Sequence, residues 1–93
     1  MGEESKIERK VTLEALDRWS VESSKWGTGG WPDRIFWVPG NKGRPLIIEF
    51  KAPGAKPEPR QEYRLHCLRT WGYDAHVCDD VEDALRLIEE RLG

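Results

Sequence analysis

Two short motifs bring together side chains that suit hydrolytic chemistry, Pro32-Asp33 and Glu49-Phe50-Lys51. Because side chains alternate across a strand, Glu49 and Lys51 would project from one face, about 7 Å apart. Mg²⁺ prefers carboxylate and carbonyl oxygens and keeps several of its waters. The motifs therefore predict a metal site made by Asp33 and Glu49, with the backbone carbonyl of Phe50 as a further ligand.

A metal ion at this point would polarise a phosphate oxygen and lower the pKa of a bound water. Lys51 would orient or deprotonate that water and offset the charge that develops on the phosphate. The predicted reaction is phosphodiester hydrolysis. The alternative interpretation is a carboxylate pair neutralised by Lys51 on a solvated face of an antiparallel sheet.

A β-hairpin is the element expected to position these groups. "RIFWV" and "PLIIEF" are rich in β-branched and aromatic residues, and "PGNKGR" between them suits a turn. A turn centred on Asn41 or Lys42 would place Asp33 opposite Glu49 or Lys51, on one face of the sheet. Ile48 and Phe50 would then face a core.

Helices are predicted on both sides of the hairpin. Ser5 and Glu8 match a capping box, and the predicted first helix covers about residues 5–22. Its apolar face comprises Ile7, Val11, Ala15 and Trp19. The glycine-rich segment "SSKWGTGGWPD" is a loop or a short extended piece.

A second helix begins at Pro59, with Leu65 and Leu68 facing a core, Trp71 closing the pattern and Gly72 as the C-terminal cap. "DAHVC" is a further strand. Asp79 or Asp80 caps a last helix whose apolar stripe comprises Val81, Ala84, Leu85, Ile88 and Leu92. The order helix, two or three strands, helix, strand, helix predicts an α/β fold with a small mixed sheet.

Composition favours one folded domain covering residues 1–93. No apolar run reaches the ~20 residues that span a bilayer, and the N-terminus lacks the apolar middle of a signal peptide, so a cytoplasmic location is expected. The two cysteines predict buried thiols rather than a disulfide or a zinc site.

The net charge of −2 conceals a segregation of charge along the chain. Residues 25–69 hold nine basic and four acidic side chains, whereas both flanking segments are acidic. A positive middle segment is compatible with phosphate binding. Ordinary solvated surface charge is the alternative interpretation.

The motifs resemble the PD-(D/E)XK nuclease superfamily, and the residues around them resemble its VRR-NUC branch, the virus-type replication and repair nucleases. The similarity extends over nearly the whole chain. It includes "GWPDRI" at 30–35, "EFKAPG" at 49–54, Gln61, and "LRTWGYDAHVCDDVEDA" at 68–84. Trp31 departs from the family pattern, which more often has a small or β-branched residue there. The resemblance implies a restriction-endonuclease-like core, α-β-β-(β)-α-β-α.

The resemblance also assigns roles to individual residues. Asp33 and Glu49 would be the carboxylates that bind Mg²⁺ or Mn²⁺, and Lys51 the catalytic lysine. Gln61 would steady Lys51 or the scissile phosphate. The family places a glutamate from the first helix near the metal, here Glu8, with Glu4 as the rival, although Glu8 could instead only complete the capping box with Ser5.

Several basic residues are candidates for contacts with DNA. Lys25 matches a basic position of the family. Further candidate phosphate contacts are Arg34, Lys56, Arg60 and Arg64. Trp31 is interpreted as a core or dimer residue, and stacking on an unpaired base is its alternative role.

The expected function is that of a Mg²⁺- or Mn²⁺-dependent DNA endonuclease of phage or prophage type in a bacterial host. The family implies a homodimer that cuts branched DNA such as Holliday junctions, with no membrane and no small-molecule cofactor. Alternatives are a nickase or exonuclease acting on flaps or single strands, a non-catalytic DNA-binding module, and a protein-interaction adaptor.

Overall fold

The computed structural model describes residues 2–93 as three helices around a four-stranded sheet. The elements in chain order are α1 (Glu3–Trp19), β1 (Ser23–Lys25), β2 (Arg34–Phe36), β3 (Leu46–Phe50), α2 (Pro59–Thr70), β4 (Asp74–Cys78) and α3 (Val81–Arg91). This is the predicted α/β order, with the glycine-rich segment contributing a short edge strand. No helix within residues 2–93 is both long and apolar enough to cross a bilayer.

The sheet is mixed, with strand order β1-β2-β3-β4. The pairs β1/β2 and β2/β3 are antiparallel, while β3 and β4 are parallel. Arg34 lies opposite Ile48 and Phe36 opposite Leu46, so the hairpin is centred on Asn41. The structure has the first of the two predicted registers, and its continuation places Asp33 opposite Glu49.

The two faces of the sheet are covered unequally. One face packs against both α1 and α3, through buried Phe36, Leu46, Ile48 and Phe50. The other face has only α2, whose Leu65 and Leu68 pack on Ile47 and Ala75. Ile48 and Phe50 therefore face the core as predicted, while Ile47 and Glu49 share the α2 face.

The first helix differs from its prediction at both ends. It begins at Glu3 with Gly2 as N-cap, and no side chain caps it, so Ser5 and Glu8 do not form the predicted capping box. It ends three residues early because Ser20 adopts a left-handed conformation with φ 56°. The next residue, Val21, then turns back into the core, where it is 2% exposed. The buried face of Ile7, Val11 and Ala15 is as predicted.

The other helix boundaries follow their sequence signals closely. Pro59 opens α2, Gly72 follows its end with φ 93°, and the side chain of Asp80 caps α3. One prediction for α2 is wrong, since Trp71 is 61% exposed and does not close a buried pattern. Its position just after the last helical turn directs the ring outside the core.

A buried ionic cluster fixes α3 to the beginning of β4. Asp74, which is 9% exposed, accepts hydrogen bonds from Arg91 and from Asn41 in the hairpin turn, and its Oδ1 lies 2.7 Å from His76 Nε2. Burial opposes ionisation, but these three partners together hold the pKa of Asp74 below its usual range. Asp74 therefore ties together the hairpin turn, the parallel strand and the last helix.

Candidate active site

Two backbone N–H groups, from the two neighbouring strands' ends, hold Asp33 at the start of β2. Its carbonyl accepts a hydrogen bond from Trp26 N at 2.8 Å, and its Oδ2 accepts one from Phe50 N at 2.7 Å. Pro32 before it is fully buried. The carboxylate is thereby fixed against β3, where the sequence register predicts it.

Glu49 lies on the α2 face of β3 and is only 2% exposed. Its Oε2 lies 3.2 Å from Lys51 Nζ and accepts a hydrogen bond of 2.7 Å from Gln61 Nε2. Its Oε1 is buried and has no hydrogen-bond partner among the described residues. A buried carboxylate oxygen without a partner is costly, so a ligand that bound Oε1 would stabilise the site.

Gln61 contacts Glu49 rather than Lys51. Its amide group lies between two partners, because Oε1 also accepts a hydrogen bond of 2.9 Å from Glu58 N at the start of α2. The same side chain thus caps the helix and orients the carboxylate. The sequence predicts its proximity to the site, but its steadying contact is with Glu49.

Both carboxylates have a raised pKa. Burial is the main cause, and the charge of Asp33 adds to it, so that the pKa of Glu49 rises to about 7 in spite of Lys51. Burial also raises the pKa of Asp33, against the hydrogen bond from Phe50. One ammonium group does not offset two partly desolvated carboxylates, so the site favours an additional cation.

Asp33 and Glu49 fit a hard divalent cation with a largely aqueous coordination shell. Within residues 2–93, no group of three or more histidine, cysteine or carboxylate side chains is placed to hold a metal ion. Mg²⁺, however, is commonly bound through one or two carboxylates and keeps several waters. Glu49 Oε1, which has no partner among residues 2–93, would be available as one such ligand. The structure joins the N–H of Phe50 to Asp33, and the metal-binding role of its carbonyl stays a prediction.

Glu8 reaches the site region from α1 through an ion pair with Arg34. Arg34 Nε donates to Glu8 Oε2 at 2.9 Å, and its Nη1 donates to Ser23 Oγ at 3.0 Å. The charges of Glu8 and Glu4 both raise the pKa of Asp33, and only that of Glu4 contributes appreciably at Glu49. Both glutamates therefore remain candidates for the acid from the first helix.

The candidate DNA-contacting residues fall into two groups. Lys25, Lys56 and Arg60 are exposed and free to approach a phosphate. Arg34 is half-buried between Glu8 and Ser23, and this arrangement uses its guanidinium to position Glu8. Arg64 lies over the ring of Trp31, 4.5 Å from the centroid.

Gly30 allows the loop before Asp33 to pack closely on α2. It has φ 82°, and a Cβ atom added there would lie 2.7 Å from Cγ of Arg60. A side chain at position 30 is thus excluded by the protein's own second helix. Gly30 and Arg60 together fix the distance between the Asp33 loop and the helix that carries Gln61.

We expect Gly30→Ala to lower the free energy of unfolding by at least ~1 kcal/mol more than Gly43→Ala does, because the added methyl group clashes only at position 30. Gly43 is a matched control, since it has φ 76° and nothing within 4 Å of its added Cβ. Denaturant unfolding of both variants measures the difference. An equal loss of unfolding free energy in the two variants would mean that the Arg60 side chain moves away from the added methyl group at little cost.

Asp79 is a positioning residue that the sequence analysis missed. Its Oδ2 accepts a hydrogen bond of 2.8 Å from Gly54 N, while Lys51 N donates to Cys78 O at 2.9 Å. These contacts attach the segment after β3 to the end of β4. The sequence indicates only that Asp79 or Asp80 caps a helix, and it gives no sign of this long-range contact.

Comparison with known proteins gives matches to one domain family. A family model described as VRR-NUC domain matches residues 2–82. A solved VRR_NUC domain is similar at 24% identity, with a TM-score of 0.77, over 96% of this chain and 97% of that one. A solved VRR_NUC domain protein is similar at 20% identity, with a TM-score of 0.78, over 97% and 89%. No curated protein matches the chain. These results confirm the predicted family resemblance and fold class.

Proposed function

The chain belongs to the VRR-NUC domain family, a family of nuclease type, and on this premise we propose that it is a metal-dependent DNA endonuclease. The observation that carries the proposal is the buried Glu49, which meets Lys51 and Gln61 through Oε2 while its Oε1 has no partner. With Asp33 fixed beside it, this arrangement matches the requirements of a hydrolytic metal site. We propose residues 1–93 as one nuclease domain.

Asp33 and Glu49 would hold Mg²⁺ or Mn²⁺. The bound ion would supply Lewis-acid polarisation of a phosphate oxygen and a more acidic water. Asp33 keeps its orientation through the N–H of Phe50, and Glu49 through Gln61. These backbone and amide contacts hold the two carboxylates ready before substrate binds, which reduces the reorganisation needed for reaction.

Lys51 would either accept a proton from the attacking water as a neutral amine, or offset the charge that develops on the phosphate as the ammonium. Its side chain is 12% exposed and held 3.2 Å from Glu49 Oε2, so its ammonium group stays within the site. A charge held in a partly desolvated site acts more strongly than one in bulk water. The first-helix acid, Glu8 or Glu4, would add negative charge at the border of the site.

We propose branched DNA as the substrate and a homodimer as the active species, located in the cytoplasm of a bacterial host of a phage or prophage. Each chain carries one such site, and symmetric incision of a four-way junction needs two sites related by a twofold axis. The alternative within the same chemistry is a nickase or exonuclease acting on flaps or single strands.

A non-catalytic DNA-binding module is the second candidate function. The exposed cations Lys25, Lys56 and Arg60 would serve it equally well. However, a binder gains nothing from the buried Glu49 and the partly buried Asp33, whose carboxylates repel phosphate and are expensive to ionise. Burial, which raises the pKa of Glu49, is the source of this cost.

Cleavage of three labelled substrates tests the proposal: a linear duplex, a 5′ flap and a four-way junction, with Mg²⁺, with Mn²⁺ and with a chelator. We expect metal-dependent, symmetric cutting of the junction and a loss of about 10²- to 10³-fold in Lys51→Ala, because a preorganised charge is removed. Lys10→Ala, which removes an exposed lysine on α1, is the matched control.

Light scattering on the same samples measures the oligomeric state. A monomer that cuts only the flap would favour the nickase or exonuclease alternative. Binding of all three substrates without cutting, under every metal condition, would exclude a nuclease and leave the DNA-binding module.

A further inference from the structure

An open aromatic groove on the α2 face of the sheet is not explained by hydrolysis alone. Only part of this face is covered, because α1 and α3 both pack on the opposite one. Trp71 and Tyr73 at the groove are 61% and 45% exposed. The residues lining this aromatic groove are Trp26, Trp31, Ile35, Pro45, Ile47, Leu68, Trp71 and Tyr73.

One wall of the aromatic groove is rigid. The rings of Trp26 and Trp31 are stacked, with centroids 4.8 Å apart and an angle of 12° between the planes. The guanidinium of Arg64 lies 4.5 Å from the Trp31 centroid and donates to Gly29 O. Trp31 is thus in contact with both Trp26 and Arg64. The ring centroid of Trp71 lies 6.4 Å from that of Trp31, with 41° between the ring planes, and the Trp71 side chain is exposed.

Two arginines lie at the groove, and no acidic side chain is among its lining residues. Besides Arg64, Arg44 is fixed nearby by a backbone carbonyl, since it donates to Gly72 O, between the groove residues Trp71 and Tyr73. Within residues 2–93, neither arginine forms an ion pair with a carboxylate. Each uses one N–H for its carbonyl and keeps others free for a ligand.

This charge pattern distinguishes between possible occupants. Two copies of the groove placed against each other would bring the two sets of arginines together, which costs free energy. Exposed aromatic rings with a cationic rim instead match an unpaired nucleic-acid strand, whose bases stack on the rings while its phosphates meet the cations.

The groove lies on the same face of the sheet as the candidate active site. Alternation along β2 places Ile35 on the same face as Asp33, and alternation along β3 places Ile47 on the same face as Glu49. The spacing between such residues is about 7 Å, which about two stacked nucleotides would span at ~3.4 Å each. A strand bound in the groove would therefore lie within about two nucleotides of the carboxylates.

We propose that the aromatic groove binds unpaired nucleotides that adjoin the scissile phosphate, with Trp71 and Tyr73 as stacking surfaces and Arg64 as a phosphate or base contact. This inference rests on the proposed nuclease function for its biological meaning. It narrows the substrate class to DNA that exposes a short unpaired segment beside the cut, as a flap or an opened junction does.

Fluorescence anisotropy with chelator present tests the groove without cleavage. The probes are a labelled 12-nucleotide oligo(dT) and a blunt 12-bp duplex at the same low salt. Trp71→Ala is expected to weaken binding of the single strand about 5- to 30-fold, since one stacked base is lost, and to change duplex binding less than about twofold. Trp71→Phe should restore most of the affinity.

Trp37→Ala is the matched control, because Trp37 is 51% exposed but outside the groove. An unchanged affinity of Trp71→Ala for oligo(dT), or equal losses for single strand and duplex, would overturn the proposal. A change from dimer to monomer without an effect on oligo(dT) would identify a subunit interface and also overturn it. Trp71-dependent binding without cleavage of any substrate would support the groove and exclude the nuclease.

Discussion

Asp33→Asn is expected to lower cleavage of the preferred substrate by at least ~10³-fold, because several kcal/mol of metal-dependent stabilisation is lost at 1.36 kcal/mol per decade. The substitution removes one negative charge but keeps an oxygen that can accept the hydrogen bond from Phe50 N. Loss of activity should therefore occur without loss of folding. Initial rates with Mg²⁺ and with Mn²⁺ measure the effect.

Calorimetric titration with Mn²⁺ separates this loss from a defect in DNA binding. The wild-type protein should release or absorb measurable heat, and Asp33→Asn should not, since a single carboxylate remains to hold the ion. Asp17→Asn, on the exposed face of α1, is the matched control. Equal heats for wild type and Asp33→Asn would show that the two carboxylates do not form a metal site.

The stability of the metal-free protein is expected to fall as the pH rises from about 5 to about 8. Burial and the charge of Asp33 raise the pKa of Glu49 from 4.5 to about 7, so the folded chain binds a proton more tightly than the unfolded chain. The free energy of unfolding then decreases with pH across this interval, by up to ~3 kcal/mol. Denaturant unfolding in chelator at pH 5 and pH 8 measures the change.

Glu49→Gln should remove most of this pH dependence, because the glutamine does not ionise. It should be more stable than wild type at pH 8 and inactive in cleavage. Glu89→Gln, an exposed change on α3, is the control. The lowered pKa of Asp74 makes the free energy of unfolding increase with pH, but only at more acidic pH, so it does not mask the effect of Glu49. Parallel pH profiles for wild type and Glu49→Gln would contradict the proposed cause.

The exposed aromatic residues illustrate what periodicity alone leaves open. A tryptophan at the end of an apolar pattern is usually packed, and the sequence therefore places Trp71 in the core, whereas it is 61% exposed. Trp26 and Trp31 lie five residues apart in a glycine-rich loop, where no regular period applies. Their stacking depends on the φ values above 60° at Gly27, Gly29 and Gly30, which the loop adopts in its tertiary setting.

The sequence by itself determined the order of elements and the shared face of Asp33, Glu49 and Lys51, and it narrowed the hairpin register to a turn centred on Asn41 or Lys42. These follow from local rules, because strand alternation and a turn centred on Asn41 fix which side chains share a face. The tertiary structure decided the partners of those side chains. The link from Gln61 to Glu49, the ion pair of Glu8 with Arg34 and the contact of Arg60 with Gly30 join residues 12, 26 and 30 positions apart. Such contacts depend on how whole elements pack together, and no local pattern encodes them.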